Sequence, residues 1–362
     1  MKRKSKLPLP LLLFIILIGV TLLLCGAALC VWLHGRNELR GKPQNAPLLE
    51  RSEPSGESSP ESGGAGTTAL LGSYTVLRNG KYYRYRSGMI NLLLLGIDSE
   101  NKPGEPLPYG DGNQADVIII AALDTDGNKM TLISVSRDTV CPISVPDGNG
   151  GFGVDDVQIA LSYAYGDGLD ESCKLCREAV SGLFHGLQLD GYVSFYMGGV
   201  AELNDAVGGV TLTVLDDVSF ADIEGCSGLI PGKEVTLTGE QAMKYVRLRR
   251  SDTTGNADRM KRQKQYLLAM ISQTRQRLAS NPAWALTLYS SLSRYLLTDL
   301  DLSRISYLAT QVARMDFTGD IRSVTGESVL GAGDHMELTV DEEALYDLIL
   351  DVFYEEITPE TE

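Results

Sequence analysis

The sequence predicts an α/β fold in which a central sheet is covered by helices on both faces. Two near-continuous apolar runs, Met89–Ile97 and Val117–Leu123, read as strands buried on both sides rather than half-exposed ones. Segments with helical spacing, such as Glu171–Leu187 and Asp258–Arg277, are interleaved with further strand-like runs. The 362 residues are 43% apolar and 22% charged, which excludes wholesale disorder, collagen and a multi-span membrane protein.

The N-terminus predicts a membrane anchor. Lys2, Arg3, Lys4 and Lys6 form a basic tail over residues 1–10, and the chain is then free of charge to Leu33. Residues 11–33 would span ~35 Å as a helix, enough for a ~30 Å hydrocarbon core. A cleaved signal peptide is the competing reading, but its apolar region is usually shorter, and Ala27-Ala28-Leu29-Cys30 fits a cleavage site poorly. The basic tail is expected to stay cytoplasmic, giving a single-pass, type II protein of the cell membrane whose body is extracytoplasmic. Residues 34–73, dominated in part by Pro, Gly, Ser and Glu, read as a flexible linker.

The folded body begins near Tyr74. Met89–Ile97 is the first buried strand, Val117–Leu123 the second, and Lys129–Val135 the third. The turn cluster Asp124–Asn128 joins the last two as a hairpin. Helices are expected at Val157–Tyr165, Glu171–Leu187 and Gly199–Val207, with strands at Tyr192–Tyr196 and Val210–Leu215. Thr238 and Gln241 form a capping box that starts another helix. Asp258–Arg277 follows as a long helix, then Trp284–Leu297, Leu302–Met315 and Asp341–Tyr354. Residues 279–362 therefore read as a helical C-terminal extension.

Charge is unevenly placed. Net charge is −15, and the 320 residues after Lys42 hold 25 basic and 46 acidic side chains. Such a body is a poor partner for nucleic acid, which needs a broad basic surface. Against that background two features carry chemistry. Asp98 closes the first strand and Asp116 opens the second, so antiparallel pairing brings the two carboxylates together. With waters and ligand phosphates, such a pair suits Mg2+; both are also ordinary turn or cap residues. The second feature is a set of arginines. Arg137 follows the third strand, Arg247 and Arg249 share one face if that segment is extended, and Arg259, Arg262 and Gln263 share one face of the long helix. Arginine forks near a helix N-terminus suit phosphate or pyrophosphate, and a solvated charged face is the alternative.

No nucleophile elbow, phosphate-binding Walker loop or zinc motif is present, and His34, His185 and His335 are scattered. Cys141, Cys173, Cys176 and Cys226 lie in the body. An even number of cysteines outside the cytoplasm fits disulfides of open connectivity or free thiols.

Several blocks in order resemble the LytR-CpsA-Psr family: Leu92–Asp98, Ala115-Asp116-Val117, Ser134–Thr139, Gln158–Gly166, Asp205–Val210, Leu237–Arg249 and Asp258–Gln263. They cover roughly residues 88–277. The resemblance implies a domain over 74–278 with a three-layer α/β/α sandwich, a central mixed sheet and an apolar pocket for a polyprenyl chain. It implies an Mg2+-dependent transferase, with Mn2+ as an alternative ion. The enzyme would move a teichoic acid, capsule or other wall glycopolymer from an undecaprenyl-pyrophosphate carrier to peptidoglycan through a phosphodiester. Asp98 and Asp116 match the family's metal aspartates. Arg137, Arg247, Arg249, Arg259 and Gln263 match its pyrophosphate set, with Arg262 beside them. Asp98, Asp116 and Arg137 are the expected catalytic residues. Two departures stand out: a longer Pro103–Gln114 loop, which could be a lid or an insertion, and Asn256 and Asp258 where many members have Asp and Gly. A polyprenyl-pyrophosphate hydrolase and a non-catalytic module that binds lipid-linked glycan are the alternative functions.

Overall fold

The computed structural model describes residues 27–41, 46–49, 75–111, 113–148, 151–215, 223–248, 255–331 and 335–358. Its strands are β1 (Thr75–Arg78), β2 (Lys81–Tyr85), β3 (Met89–Ile97), β4 (Ala115–Asp124), β5 (Lys129–Val135), β6 (Val140–Pro146), β7 (Phe152–Gln158), β8 (Gly191–Tyr196), β9 (Thr211–Thr213), β10 (Glu234–Thr236), β11 (Leu296–Thr298), β12 (Ile321–Ser323), β13 (Gly326–Leu330), β14 (Met336–Val340) and β15 (Tyr354–Ile357). Its helices are α1 (27–40), α2 (Leu161–Ala164), α3 (Asp170–Leu183), α4 (Val200–Ala206), α5 (Gly239–Arg247), α6 (Gly255–Ser280), α7 (Trp284–Leu292), α8 (Leu302–Arg314) and α9 (Glu342–Phe353).

Six strands form a mixed central sheet in the order β11-β8-β3-β4-β5-β12. The β3/β4 and β4/β5 pairs are antiparallel, whereas β8 runs parallel to β3 and β12 parallel to β5. The near-continuous apolar runs, broken in β3 by the buried Asn91, follow from this position. Along β3, Leu93 and Leu95 enter one core with Cys173, Cys176 and Val180 of α3 and Leu345 and Ile349 of α9. Ile90 and Leu92 enter the opposite core with Tyr307 and Leu308 of α8, and Leu267 and Leu268 of α6 pack against it. Side chains alternate across a strand, so covering both faces favours apolar residues at successive positions. A third, smaller core joins β9 and β10 to α5 and α6 through Leu212, Ala242, Tyr245, Tyr266 and Met270.

Several expectations are corrected. Residues 279–362 are not a helical extension: they supply both edge strands of the central sheet, β11 and β12, and the β13–β14 hairpin. Three-residue strands are too short to show a period of two, so the apolar pattern around Leu296 merged with the preceding helix. Of the helix expected at Val157–Tyr165, Val157 and Gln158 end β7, a turn follows, and only the four-residue α2 is helical.

The end of the expected 11–33 anchor and part of the expected 34–73 linker are docked on the body. Trp32 packs edge-on against Tyr307 at 5.3 Å and donates its indole N–H to Thr310 Oγ1 at 2.9 Å. Leu39 is buried, and Arg40 pairs with Asp126. Leu48 N donates to His185 O, and Tyr354 OH donates to Pro47 O. Residues 1–26, which hold the basic tail and most of the apolar 11–33 run, lie outside the described residues, as do 50–74. Among the described residues no helix is long and apolar enough to cross a membrane. No disulfide occurs among them either, and Cys141, Cys173, Cys176 and Cys226 are free and buried.

Candidate active site

The site sits at the sheet end where β3, β5 and β8 finish and β4 begins. Its geometry originates in a β-bulge. Gly96 pairs with Val117 but Ile97 pairs with Ala115, so Asp116 is the extra residue on β4. A bulge re-aims the side chain it carries. The opposing residue must be small, because a Cβ on Gly96 would lie 2.8 Å from Val117 Cβ.

Arg137, two residues beyond β5, donates to Asp116 Oδ1 and, at 2.8 Å, to Gln114 Oε1. Its Nε lies 3.5 Å from Asp138. Burial pushes the Asp116 carboxyl above the usual carboxylate range. Arg137 opposes that shift, Asp98 adds to it, Arg259 opposes it and Asp138 adds to it. Asp98 itself is exposed in the loop after β3. The structure thus brings Asp98, Asp116, Arg137 and Arg259 into one electrostatic cluster.

The remaining sequence candidates divide. Arg247 is not in an extended segment; it is the last residue of α5 and pairs with Glu100 of the β3 exit loop at 2.8 Å. Arg249 lies outside the described residues. The expectation of a ligand role for Arg262 is corrected, because its side chain is wholly buried. Its Nε donates to Tyr245 O at 3.0 Å and its Nη2 to Leu248 O, while Gln263 Nε2 donates to Val246 O at 3.1 Å. These two side chains satisfy carbonyls at the C-terminal end of α5, which have no partner within the helix. They hold the segment that carries Arg247.

Two participants were missed from the sequence, Gln114 and Glu100. Each stands two residues from a candidate aspartate, and that proximity was the available signal. The Pro103–Gln114 loop is pinned rather than free: Leu107 N donates to Asp167 O and Gly110 N to Ala164 O. Tyr109 also packs edge-on against Phe152. Among the described residues no group of three or more His, Cys, Asp or Glu could hold a metal ion. Two carboxylates nevertheless suit an ion such as Mg2+, which takes one or two protein carboxylates and fills its shell with water and phosphate oxygens. Added positive charge would also offset the crowding of Asp116 by Asp98 and Asp138.

The LytR_cpsA_psr family model matches residues 73–339. The chain belongs to the LytR-CpsA-Psr family. The match runs into β14, well past the blocks legible in the sequence. The polyisoprenyl-teichoic acid–peptidoglycan teichoic acid transferase TagU of Oceanobacillus iheyensis is 27% identical over 245 residues, 68% of each chain. Two solved structures share the fold. Protein gbs0355 of Streptococcus agalactiae has a TM-score of 0.57 at 20% identity, over 73% of this chain and 86% of that one. TagT bound to LIIa-WTA has a TM-score of 0.51 at 19% identity, over 73% of this chain and 89% of that one.

Proposed function

We propose that this protein transfers a glycopolymer from an undecaprenyl-pyrophosphate carrier to peptidoglycan. The observation that carries this reading is the bulge-borne Asp116, bonded to Arg137 and grouped with Asp98 and Arg259 at one end of the sheet. Membership of a family that includes a named teichoic acid transferase supports the substrate class.

Arg137, Arg247 and Arg259 bind the pyrophosphate and hold the departing phosphate, as arginine forks do. A sugar hydroxyl of peptidoglycan attacks the phosphorus that bears the glycan. A P–O bond forms, the P–O bond to the second phosphate breaks, and polyprenyl phosphate leaves with the electron pair. The hydroxyl proton passes to a carboxylate of the Asp98–Asp116 pair. Asp98 and Asp116 would hold Mg2+, which supplies charge neutralisation for the phosphates when bound. Between α6 and the sheet, Leu94, Val193, Leu267, Leu268 and Ile271 are only partly buried, an apolar layer suited to the prenyl chain. The 11–33 segment anchors the chain with its body outside the cytoplasm, on the side where the carrier presents its glycan.

The test mixes the full chain in detergent with Mg2+, a short lipid-pyrophosphate-linked saccharide and peptidoglycan oligomers. A saccharide–phosphate–peptidoglycan adduct that disappears in Arg137→Ala supports the reading. Release of free saccharide phosphate without adduct replaces it with hydrolysis. Lipid binding without turnover replaces it with a binding module.

A further inference from the structure

The long helix α6 connects the candidate active site to a second feature. Arg259 is in its first turns, and Arg277 follows eighteen residues later, ~27 Å along the axis. There α6, the turn at Gly208 and the start of α7 form an open groove of about 380 Å3, lined by Val207, Gln273, Gln276, Arg277, Asn281 and Trp284 among others. That volume is in the range of small-ligand sites.

The groove is built around Arg277, an exposed side chain tethered at its Nε. Arg277 Nε donates to Val207 O at 3.0 Å, and its Cζ lies over the Trp284 ring, 5.7 Å from the centroid. Gly208, at φ +90°, makes room for it, since a Cβ there would stand 2.7 Å from Nη2. Gln273 sets the wall by accepting from Thr211 N and donating to Gly209 O. Gln276 and Asn281 are exposed. Among the described residues no Asp or Glu lines the groove, in a chain with 47 acidic residues.

Each lining group has a matching ligand chemistry. A pre-set arginine fork binds phosphate or carboxylate. Side-chain amides exchange hydrogen bonds with hydroxyls. An indole offers an apolar surface to the C–H face of a sugar ring, with a polar N–H at its edge. We propose that this groove binds an anionic saccharide, with Arg277 on the anion, Trp284 against the ring, and Gln276 and Asn281 on hydroxyls. The choice of saccharide rests on the transfer reading: the phosphodiester polymer being moved, or the carboxylate-bearing glycan that receives it. Binding itself does not need the transfer centre.

The chain has two tryptophans, Trp32 and Trp284, so Trp32→Phe leaves Trp284 as the only indole reporter. The full chain carrying Trp32→Phe is titrated in detergent with a poly(glycerol phosphate) oligomer, with a muramyl disaccharide peptide, and with a neutral N-acetylglucosamine tetramer. The expected result is a saturable change in Trp284 emission with one anionic probe, and the probe that responds identifies the source. Arg277→Gln and the neutral probe should each weaken binding about tenfold or more, the scale of one charged hydrogen bond. The exposed pair Gln276→Ala with Asn281→Ala should weaken it without touching the fold, and Asp116→Asn should leave it unchanged. No saturable response to either anionic probe overturns the proposal. So does equal affinity in Arg277→Gln, equal affinity for the neutral probe, or loss of binding in Asp116→Asn. Saccharide binding here without any transfer would refute the transfer reading and leave this one standing.

Discussion

Arg262→Met separates a structural arginine from a substrate-binding one. The side chain is wholly buried and donates to the carbonyls of Tyr245 and Leu248. Methionine fills much of the space but donates nothing, so both carbonyls lose a charged partner. Leaving a buried acceptor unsatisfied costs about 1–3 kcal/mol, and two of them give a loss of about 3–5 kcal/mol. At ~2–4 °C per kcal/mol for a large domain, the melting temperature should fall by roughly 6–20 °C. Urea unfolding measures the loss, with an unchanged slope confirming that stability rather than compactness moved. Arg262→Lys keeps the charge but not the two-pronged reach, and should fall between wild type and Met. The reasoning fails if Arg262→Met unfolds within about 1 kcal/mol of wild type, the range of an ordinary surface change. It fails more decisively if that stable variant no longer binds a pyrophosphate lipid, because the guanidinium would then serve the ligand.

Asp116→Asn should lower transfer by about 10²–10⁴-fold, the usual contribution of a positioned acid or base. The same change should raise stability near neutral pH. The folded state holds the Asp116 proton more tightly than the unfolded chain does. Stability is therefore favoured at acid pH and declines as pH rises from ~3.9 through the raised folded value. Asparagine removes that slope, which urea unfolding as a function of pH will register. Gly96→Ala should depress transfer while keeping a cooperative melt, because the new methyl meets Val117 and disturbs the bulge that aims Asp116. The body thiols should resist a thiol reagent until the protein unfolds: burial pushes Cys141 and Cys176 up to about 12 and raises Cys173 and Cys226 as well. Rapid labelling of Cys173 or Cys176 in the native protein would show that α3 opens easily. Trp32→Ala should lower the melting temperature more than Arg40→Ala, since the first loses packing on Tyr307 and the second only an exposed ion pair of ~0–1 kcal/mol.

What was legible in the sequence follows from how each signal arises. Met89–Ile97 read correctly end to end because a strand covered on both faces is almost wholly apolar, and Lys129–Val135 because the Asp124–Asn128 turn cluster marks where it starts. The capping box at Thr238 also marked its helix correctly, since both reciprocal hydrogen bonds form. The β6–β7 hairpin was missed because Phe152–Gln158 is largely exposed, including an outward Asp155-Asp156 pair. β7 therefore carries no core alternation, whereas β6 places Cys141 and Ile143 in the core. At the site, strand ends revealed Asp98, Asp116 and Arg137. The bulge left no trace, since one extra residue in one strand appears only once the partner register is known. Helical spacing placed Arg259, Arg262 and Gln263 on one side of α6 but could not say that α5 ends against the last two.

The distribution of charge bears on how such a protein would choose its substrate. With a net charge of −15, most of the surface repels a polyanionic glycopolymer, and only local exceptions attract it. Arg137 is one exception, but Asp116, Gln114 and Asp138 already occupy it. Arg247 likewise holds Glu100. These arginines are partnered in the resting protein, so a bound pyrophosphate must displace acids rather than fill an empty basic cleft. That exchange favours a ligand with two adjacent phosphates over a polymer with isolated ones, because only the first can engage several arginines together. Glu100→Gln tests the point. Freeing Arg247 from its acid should tighten binding of a simple phosphodiester oligomer more than binding of a pyrophosphate lipid, narrowing the selectivity between them. If both affinities rise by the same factor, the acidic partners contribute only general repulsion and do not select the pyrophosphate.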